Sequence, residues 1–337
     1  MVLPLAYWLQ YVFVSVKLLR QLIRDYRKLS KTGKTTKQKP RGEGFDLDMM
    51  QLVISGLANG SVYGLIALGF VLIYKATEAV NFAQGDFMML GAFITIWLAN
   101  PQFLGIDFWI AVPLAISIMA VLGYLLDLFV IRKMFGQPQI AVVILTIALG
   151  FIIRFVVGAI WKHEPQLLET PFAGRELRIG ELVLGFEEVA VIVVTLLLTL
   201  FLFLFFRKAK LGKAMQAASQ NQLAAYYVGI PVKRIQSLVW ALAGAVAAVA
   251  GVLFASKGAV DPSTGLLGIK AFAAAVIGGF GSLPGALIGG LIIGLIEPFA
   301  AYALPAGYSQ IAPYAVMLLV LIFRPAGIFS QMQKKKV

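Results

Sequence analysis

The main pattern in this chain is a series of long segments that are apolar all the way round, separated by polar connections. The clearest of them are long enough to cross a hydrocarbon layer of about 30 Å as helices, and they comprise residues 50–74, 108–131, 140–160, 189–206, 235–255 and 286–301. A large soluble protein with buried helices would show a polar stripe along each segment, and these segments show none. The pattern therefore predicts an all-α integral membrane protein.

Basic residues orient these segments in the membrane. The chain carries 29 Lys and Arg against 16 Asp and Glu, an excess that by itself would also suit a nucleic-acid-binding protein. The excess is concentrated in alternate connections, however, of which residues 207–234 hold six Lys or Arg and no acid. The positive-inside rule places such connections, together with the C-terminus, in the cytoplasm. The acid-rich residues 161–188 are then expected outside, and no nucleic-acid partner is expected.

Three shorter apolar segments bring the expected total to about 8–9 transmembrane helices, and they comprise residues 87–99, 266–280 and 311–323. If residues 50–74 and 87–99 both cross fully, Met49 and the basic residues before it lie outside. Either the N-terminus then crosses once more, or the polar stretch Asn81–Asp86 belongs to a half-span that turns back. Polar backbone is tolerated at membrane depth where protein or a water-filled cavity covers it, so the sequence leaves both alternatives open.

The two ends of the chain differ in composition from its middle. Residues 1–48 form a basic extension, in which a short apolar run is followed by ten Lys or Arg between Lys17 and Arg41. It is interpreted as an interfacial helix on anionic lipid, as an extra tilted span, or as a dispensable segment before a natural start at Met49 or Met50. A peripheral extension is favoured. Residues 49–330 form the transmembrane domain, and residues 331–337 form a basic cytoplasmic tail.

Catalytic chemistry is not expected in this chain. It has no cysteine, and its one histidine, His163, lies in a polar loop, which excludes disulfides, thiol catalysis and cysteine–metal sites. A membrane-embedded enzyme would need a cluster of nucleophilic or acidic groups inside a span, and the sequence shows none. We therefore predict no catalytic residue, no metal and no cofactor.

Polar side chains inside the apolar segments or at their breaks are the candidates for a translocation pathway. An ionisable group at the centre of a membrane helix costs about 2.5–3.5 kcal/mol on insertion scales, so such groups are functional candidates. Arg154 and Glu297 fit a structural ion pair as well as a role in gating, whereas Lys270 is near a helix end and can snorkel. The candidates are Asn59, Asn81, Gln84, Asp86, Arg154 and Glu297.

Glycines mark helix faces that permit close packing. Gly56, Gly60 and Gly64 are four residues apart, and Gly285, Gly289, Gly290 and Gly294 form a similar face in residues 285–301. A tight turn is predicted before that segment, formed by Gly278, Gly279, Gly281, Pro284 and Gly285. This turn and Asn81–Asp86 both interrupt hydrophobic segments, which fits either a transport pathway or ordinary turns between packed helices.

The basic connection between residues 207 and 234 contains a predicted surface helix. Ala, Gln, Met and Leu favour helix over residues 212–228, and Gly229 followed by Pro231 is a stop signal. By composition alone this helix is also compatible with a plain amphipathic connector. Its small or polar residues would allow another surface to approach closely, and they are Gly212, Ala217, Ala218, Asn221, Ala224, Ala225, Gly229 and Ile230.

The Ala-rich helix that ends in Gly-Ile resembles the coupling segment of ABC importer permeases, which docks on an ATPase subunit. Four blocks, at residues 56–69, 81–86, 270–286 and 323–329, resemble the high-affinity branched-chain amino acid permeases, specifically the shorter of their two paired types. The resemblance covers residues 49–330. It implies an ABC importer permease-like fold in a bacterial inner membrane, with the ATPase-coupling role on the helix just described.

The resemblance also implies partners and a substrate class. The partners are a second permease subunit, related or identical, two cytoplasmic ATPase subunits and a periplasmic solute-binding protein. The expected solutes are branched-chain amino acids or related small molecules such as amides and urea. The competing interpretation is a stand-alone channel or ion-coupled secondary transporter, which would need a more polar midplane site than this chain offers.

Overall fold

A computed structural model describes residues 42–134, 137–179, 182–305 and 307–329 of the chain. The predicted basic extension therefore lies outside the described residues up to Arg41, and the predicted tail at 331–337 lies outside them altogether. The chain from Leu47 onwards forms one compact unit. Six of its described helices are long and apolar enough to cross a membrane, so the protein is a multi-pass membrane protein.

The described residues form eleven α-helices. They are α1 (Gly42–Thr77), α2 (Gln84–Ala99), α3 (Phe108–Phe129), α4 (Gln139–Trp161), α5 (Phe186–Lys208), α6 (Lys210–Gln220), α7 (Gln222–Tyr227), α8 (Val232–Ala255), α9 (Leu267–Gly278), α10 (Leu283–Ala303) and α11 (Tyr308–Phe323). Short 3₁₀ helices lie at Ile131–Met134 and Pro262–Leu266. Because α1, α3, α4, α5, α8 and α10 are the six long apolar helices, the six clearest predicted segments are confirmed as helices.

Burial sorts these helices into a centre and a periphery. The α1 helix is the most buried of the six, whereas α4 and α5 expose most of their apolar length. In a bilayer, large exposed apolar side chains on α4 and α5 face lipid or another subunit at no cost. The central packing partners are α8, which packs along α2 and α3, and the antiparallel pair α9–α10.

Local sequence signals set several of the helix ends. Asp107 caps α3 by accepting a hydrogen bond from the Trp109 backbone N–H at 2.9 Å. Ser282 caps α10 in the same way from the Gly285 N–H at 3.1 Å. Each of these oxygens satisfies one of the N–H groups that a helix start leaves without an intrahelical partner.

Two features differ from the sequence-based expectation. The single predicted surface helix is two helices, because Asn221 leaves the helical conformation after α6 and caps α7 by accepting from the Ala224 N–H at 2.9 Å. The second helix ends at Tyr227, and Gly229 follows with a φ of 83°, a left-handed conformation that favours glycine. In addition, an antiparallel hairpin of β1 (Glu176–Ile179) and β2 (Leu182–Gly185) precedes α5.

The glycine faces of α1 and α10 pack directly against each other. A Cβ on Gly60 would lie 2.8 Å from the Leu291 Cα and 2.9 Å from the Gly290 carbonyl oxygen. On the facing helix, a Cβ on Gly294 would lie 2.2 Å from the Gly60 Cα. These backbones are therefore as close as two helices can come, as small residues at helix interfaces allow.

Replacing Gly60 with alanine should therefore lower stability. The new methyl group would overlap backbone atoms rather than a movable side chain, and overpacking of this kind costs about 1–3 kcal/mol. The matched control is Gly258→Ala, where the added Cβ meets no atom within 4 Å. Thermal unfolding of the purified variants in detergent measures the difference, and equal midpoints for the two variants would contradict the packing described here.

Candidate functional site

The start of α2 lies inside the helix bundle. Gln84, its first residue, donates a hydrogen bond from Nε2 to the Ala243 carbonyl oxygen at 3.3 Å, and Ala243 lies midway along α8. A Cβ on Gly69 would lie 1.9 Å from the same Nε2 atom. Gly69 is eight residues before the end of α1, which is about 12 Å along a helix axis. After α1 ends, the chain therefore re-enters the bundle before α2 begins.

Polar groups line this buried break. Asn81 is 1% exposed and Gln84 is fully buried. The Asn81 amide donates to the Gln84 Oε1 atom at 3.3 Å, and its Oδ1 accepts from the Ala83 N–H at 3.1 Å. Thr146 on α4 accepts from the Phe82 N–H at 3.2 Å. The loop thus satisfies its polar groups internally, as buried backbone requires.

Asp86, in the first turn of α2, forms an ion pair with Arg154 of α4. The Arg154 Nη2 and Nε atoms donate to the Asp86 Oδ1 atom at 2.8 Å and 3.1 Å. Asp86 is 3% exposed, and two glycines enclose its carboxylate. A Cβ on Gly150 would lie 2.4 Å from Oδ2, and one on Gly265 would lie 2.2 Å from Oδ1. We call Asn81, Gln84, Asp86 and Arg154 the Asp86 cluster.

A second short helix starts beside the Asp86 cluster. The 3₁₀ helix Pro262–Leu266 leads into α9, and a Cβ on Gly85 would lie 2.2 Å from the Gly265 carbonyl oxygen and 2.6 Å from the Gly268 Cα. At 16 and 12 residues, α2 and α9 are about 24 Å and 18 Å long, shorter than the hydrocarbon core. Two helix N-termini therefore meet inside the bundle beside Asp86, and each contributes partial positive charge.

Glu297 belongs to a separate cluster. Its Oε1 accepts from Lys270 of α9 at 2.5 Å, and its Oε2 accepts from the Tyr63 hydroxyl of α1 at 2.8 Å. One turn before Tyr63, the Asn59 Oδ1 atom accepts from the Lys257 Nζ atom at 2.5 Å. We call Asn59, Tyr63, Lys257, Lys270 and Glu297 the Glu297 cluster.

Lys257 lies just beyond the end of α8, outside the membrane-spanning segments. Burial lowers the pKa of the Lys257 ammonium, and the nearby Glu188 carboxylate opposes that shift. The hydrogen bond to Asn59 joins this buried cation to α1.

The six predicted pathway residues thus fall into two groups. The structure brings Asn81, Gln84, Asp86 and Arg154 together, and it places Asn59 and Glu297 in the other cluster. Arg154 and Glu297 both form ion pairs, but with Asp86 and Lys270 and not with each other. Sequence reasoning missed Tyr63 and Lys257, although Tyr63 follows Asn59 by four residues and so shares its helix face.

The predicted tight turn lies away from both clusters. It joins α9 to α10, with Gly279 at a φ of 92°, and Gly327 of the segment after α11 packs against Gly279. Within the turn, Gly278 and Gly285 approach so closely that a Cβ on Gly278 would lie 2.0 Å from the Gly285 carbonyl oxygen. Pro284 follows the capping Ser282 in the first turn of α10, and Gly281 precedes it.

The α6–α7 segment presents two faces. Gly212, Ala218 and Ala225 face the protein, and a Cβ on Gly212 would lie 2.4 Å from the Phe205 carbonyl oxygen at the end of α5. The opposite face exposes Tyr226, Tyr227 and Val228, with exposed fractions of 68%, 82% and 75%. Asn221, Ala224 and Gly229 are also exposed, while Ala217 and Ile230 are half-buried. We call Tyr226, Tyr227 and Val228 the tyrosine patch.

Comparison with known sequences identifies the family. The family described as "Branched-chain amino acid transport system / permease component" matches residues 52–321, which takes in both clusters and the α6–α7 segment. The chain belongs to this permease family. The resemblance drawn from the four sequence blocks is confirmed.

Relatives of the shorter type match this permease over almost their full length. It is 32% identical to the high-affinity branched-chain amino acid transport system permease protein BraD of Pseudomonas aeruginosa, with 86% of the chain and 98% of BraD covered. It is 31% identical to LivH of Escherichia coli K12 at the same coverage. Identity to LivM of the same organism is 24%, with 79% of the chain and 67% of LivM covered. The permease therefore matches the shorter LivH type, as expected.

The two clusters offer charged and hydrogen-bonding side chains to a solute. Within the described ranges, no group of three His, Cys, Asp or Glu side chains could hold a metal ion. Each cluster instead holds one carboxylate, at least one cation and neutral hydrogen-bonding groups. Such a set can exchange its internal bonds for bonds to the carboxylate and ammonium of a zwitterion.

Proposed function

We propose that this chain provides the translocation pathway of an ATP-driven importer for branched-chain amino acids or closely related small solutes. The observation that carries the proposal is the meeting of the α2 and α9 N-termini beside Asp86, inside the bundle. Interrupted helices whose positive ends meet at membrane depth are the features by which transporters hold an anionic substrate group. The names of BraD, LivH and LivM support the substrate class.

In this proposal the Asp86 cluster is the narrow part of the pathway. The Arg154 guanidinium and the two helix N-termini would attract the solute carboxylate, while the Asp86 carboxylate would accept the solute ammonium. The pair is closed onto itself in this structure at 2.8 Å, so passage requires it to open. The exposed apolar body of a leucine-like solute would slide along the small Gly150 and Gly265 surfaces. A pair that opens and closes is suited to transient contact rather than tight binding.

The Glu297 cluster would couple this opening to helix movement. It connects α1, α9 and α10 through Tyr63, Lys270 and Glu297, and the glycine interface of α1 and α10 lies alongside. Glu297→Gln keeps one acceptor oxygen, replaces the other oxygen with an amide NH₂ donor, and removes the charge. We expect uptake to fall about fivefold, because a charge-assisted hydrogen bond is worth about 1 kcal/mol more than a neutral one.

Uptake and assembly must be measured together for this variant. Initial uptake rates in cells, normalised to membrane-inserted protein, give the first quantity, and gel filtration in detergent gives the second. Tyr63→Phe is the matched control for loss of one hydrogen bond without loss of charge. A Glu297→Gln variant that fails to assemble, rather than one that assembles and transports slowly, would assign the cluster a structural role only.

The tyrosine patch would dock on an ATPase subunit. Exposed aromatic side chains on a short surface helix are typical interface anchors. The basic residues of the same connection favour a cytoplasmic position for this face under the positive-inside rule. The complete importer in this proposal contains a second permease subunit, two ATPase subunits and a periplasmic solute-binding protein. It lies in the bacterial inner membrane with the C-terminus cytoplasmic, with about 8–9 crossings per permease. Catalysis then belongs to the ATPase subunits, and this chain is not an enzyme.

Uptake of labelled solutes tests the substrate class. Cells that lack this chain should lose uptake of leucine, isoleucine and valine at micromolar concentration, and a plasmid copy should restore it. Urea, acetamide and a charged amino acid are measured in parallel in the same cells. If urea or amide uptake is lost while leucine uptake stays normal, the chain is a permease for those solutes and the proposed substrate class is wrong. Unchanged uptake of every solute would contradict the proposal.

A further inference from the structure

A cleft of about 620 Å³ opens where several elements end together. Its walls come from the end of α1, the end of α5, the middle of α6 and the turn before α10. Because helix ends and a surface helix meet here, we expect the cleft at the level where a bilayer changes from hydrocarbon to headgroups.

Three cations line the cleft without a matching carboxylate. They are Lys75, Arg207 and Lys213. Among the described residues, the ion pairs involve other side chains, and no acidic residue lines the cleft. The turn at Ser282 adds the N-terminus of α10 to the same wall, and its partial positive charge has the same sign. This concentration of positive charge would attract an anion.

The other walls of the cleft are apolar and continue onto the surface of the bundle. Phe203 and Phe206 line it from α5 and Leu283 lines it from α10. Phe203 is itself exposed, and Leu200 and Leu196, one and two turns earlier on α5, are exposed as well. An apolar track therefore leads from the cleft along α5 towards the centre of the membrane, the direction that an acyl chain would take.

We infer that this cleft binds the headgroup of an anionic phospholipid. The phosphate contacts Lys75, Arg207 and Lys213, and the acyl chains lie along the exposed face of α5. A free phosphate would use the same cations but would leave the apolar track without an occupant, which is why a lipid fits better. Basic pockets between membrane helices bind anionic headgroups by this combination of charge and apolar surface.

The site has a consequence for the α6–α7 segment. Lys213 lies on α6 and Ser282 lies in the turn before α10, so a headgroup between them would join the surface helix to the bundle. Binding of the lipid stands apart from the choice of solute, because none of the residues involved belongs to the Asp86 or Glu297 cluster.

Native mass spectrometry of the full-length chain, with the subunits that co-purify, tests the inference. The delipidated protein is offered equal amounts of phosphatidylglycerol and phosphatidylcholine, and the ratio of the two adducts is measured. We expect phosphatidylglycerol to be preferred. Each removed charge should lower the preference about fivefold, because a basic residue near an anionic headgroup contributes about 1 kcal/mol. Arg207→Gln is therefore expected to lower the preference for phosphatidylglycerol about fivefold, and the Lys75→Gln/Arg207→Gln double variant is expected to lower it about 25-fold.

Lys210→Gln is the matched control, since Lys210 is exposed in the same connection but does not line the cleft. Arg207 is exposed, so its substitution leaves the packing intact even if the Lys75 variant does not fold. The inference is overturned if the control and the Arg207 variant change the ratio equally, or if the unchanged protein shows no preference. It is also overturned if millimolar inorganic phosphate displaces phosphatidylglycerol, because the site would then take a free anion.

Discussion

Substituting asparagine for Asp86 is expected to lower the free energy of unfolding by about 3 kcal/mol, because it leaves the Arg154 guanidinium without its counter-ion inside the bundle. Breaking a buried ion pair from one side costs about 3–5 kcal/mol. The lower end applies here, since about a quarter of the Arg154 side chain remains accessible. Denaturant or thermal unfolding of the purified protein in detergent measures the loss.

A second substitution separates the structural role of this pair from its role in transport. Removing both charges in Asp86→Asn/Arg154→Met should restore most of the stability, because no unpaired charge remains. Uptake should nevertheless stay about tenfold or more below normal, since both groups that exchange with the solute are gone. Glu164→Gln, in an exposed loop, is the control for loss of an acidic side chain. Full recovery of uptake in the double variant would show that the ion pair has a structural role only.

Replacing Tyr226 and Tyr227 with alanine should abolish association with the ATPase while leaving the membrane bundle intact. Interface anchors of this type contribute about 2 kcal/mol or more each, which corresponds to about 30-fold in affinity per residue. Both side chains point away from the protein, so their loss removes no internal packing. Co-purification of ATPase protein and solute uptake are the two quantities to measure.

The matched control uses two exposed tyrosines elsewhere in the chain. Tyr302, near the end of α10, is 56% exposed, and Tyr308, at the start of α11, is 51% exposed. Their double alanine variant should keep both the ATPase and uptake. If the Tyr226/Tyr227 variant also keeps its ATPase, the docking surface lies elsewhere on the connection.

The membrane helices were predictable because the bilayer requires an apolar surface all round each of them. Residues 108–131 and 140–160 needed no knowledge of their neighbours, and both appear as helices close to the predicted bounds. The glycine faces were predictable for a similar reason, since a repeat of four residues places Gly56, Gly60 and Gly64 on one side of α1.

The contacts inside the bundle were not predictable in the same way. Asp86 and Arg154 are 68 residues apart, and only the packing of α2 against α4 brings them together. The sequence marks both as costly at membrane depth but does not pair them. Lys257 looked like an ordinary residue at a helix end, and its contact with Asn59 depends on how α1 lies beside α8.

Local conformational choices were partly predictable. Gly229 and Pro231 correctly marked the end of the surface helix, but Asn221 was assigned to its middle. An asparagine in a helix-favouring segment can equally leave the helix and cap the next one, and here it divides α6 from α7. The Glu176–Gly185 hairpin was missed because its strands are only four residues long and lie between two strongly apolar segments.

The most direct test of the central claim is purification of this chain from its native membrane in mild detergent, with identification of the co-purifying proteins and an ATPase assay. The account predicts a stoichiometric ATPase subunit, a second permease subunit and ATP hydrolysis by the complex. A chain that purifies alone, with no associated ATPase after gentle cross-linking, would contradict it and favour a stand-alone channel or ion-coupled transporter.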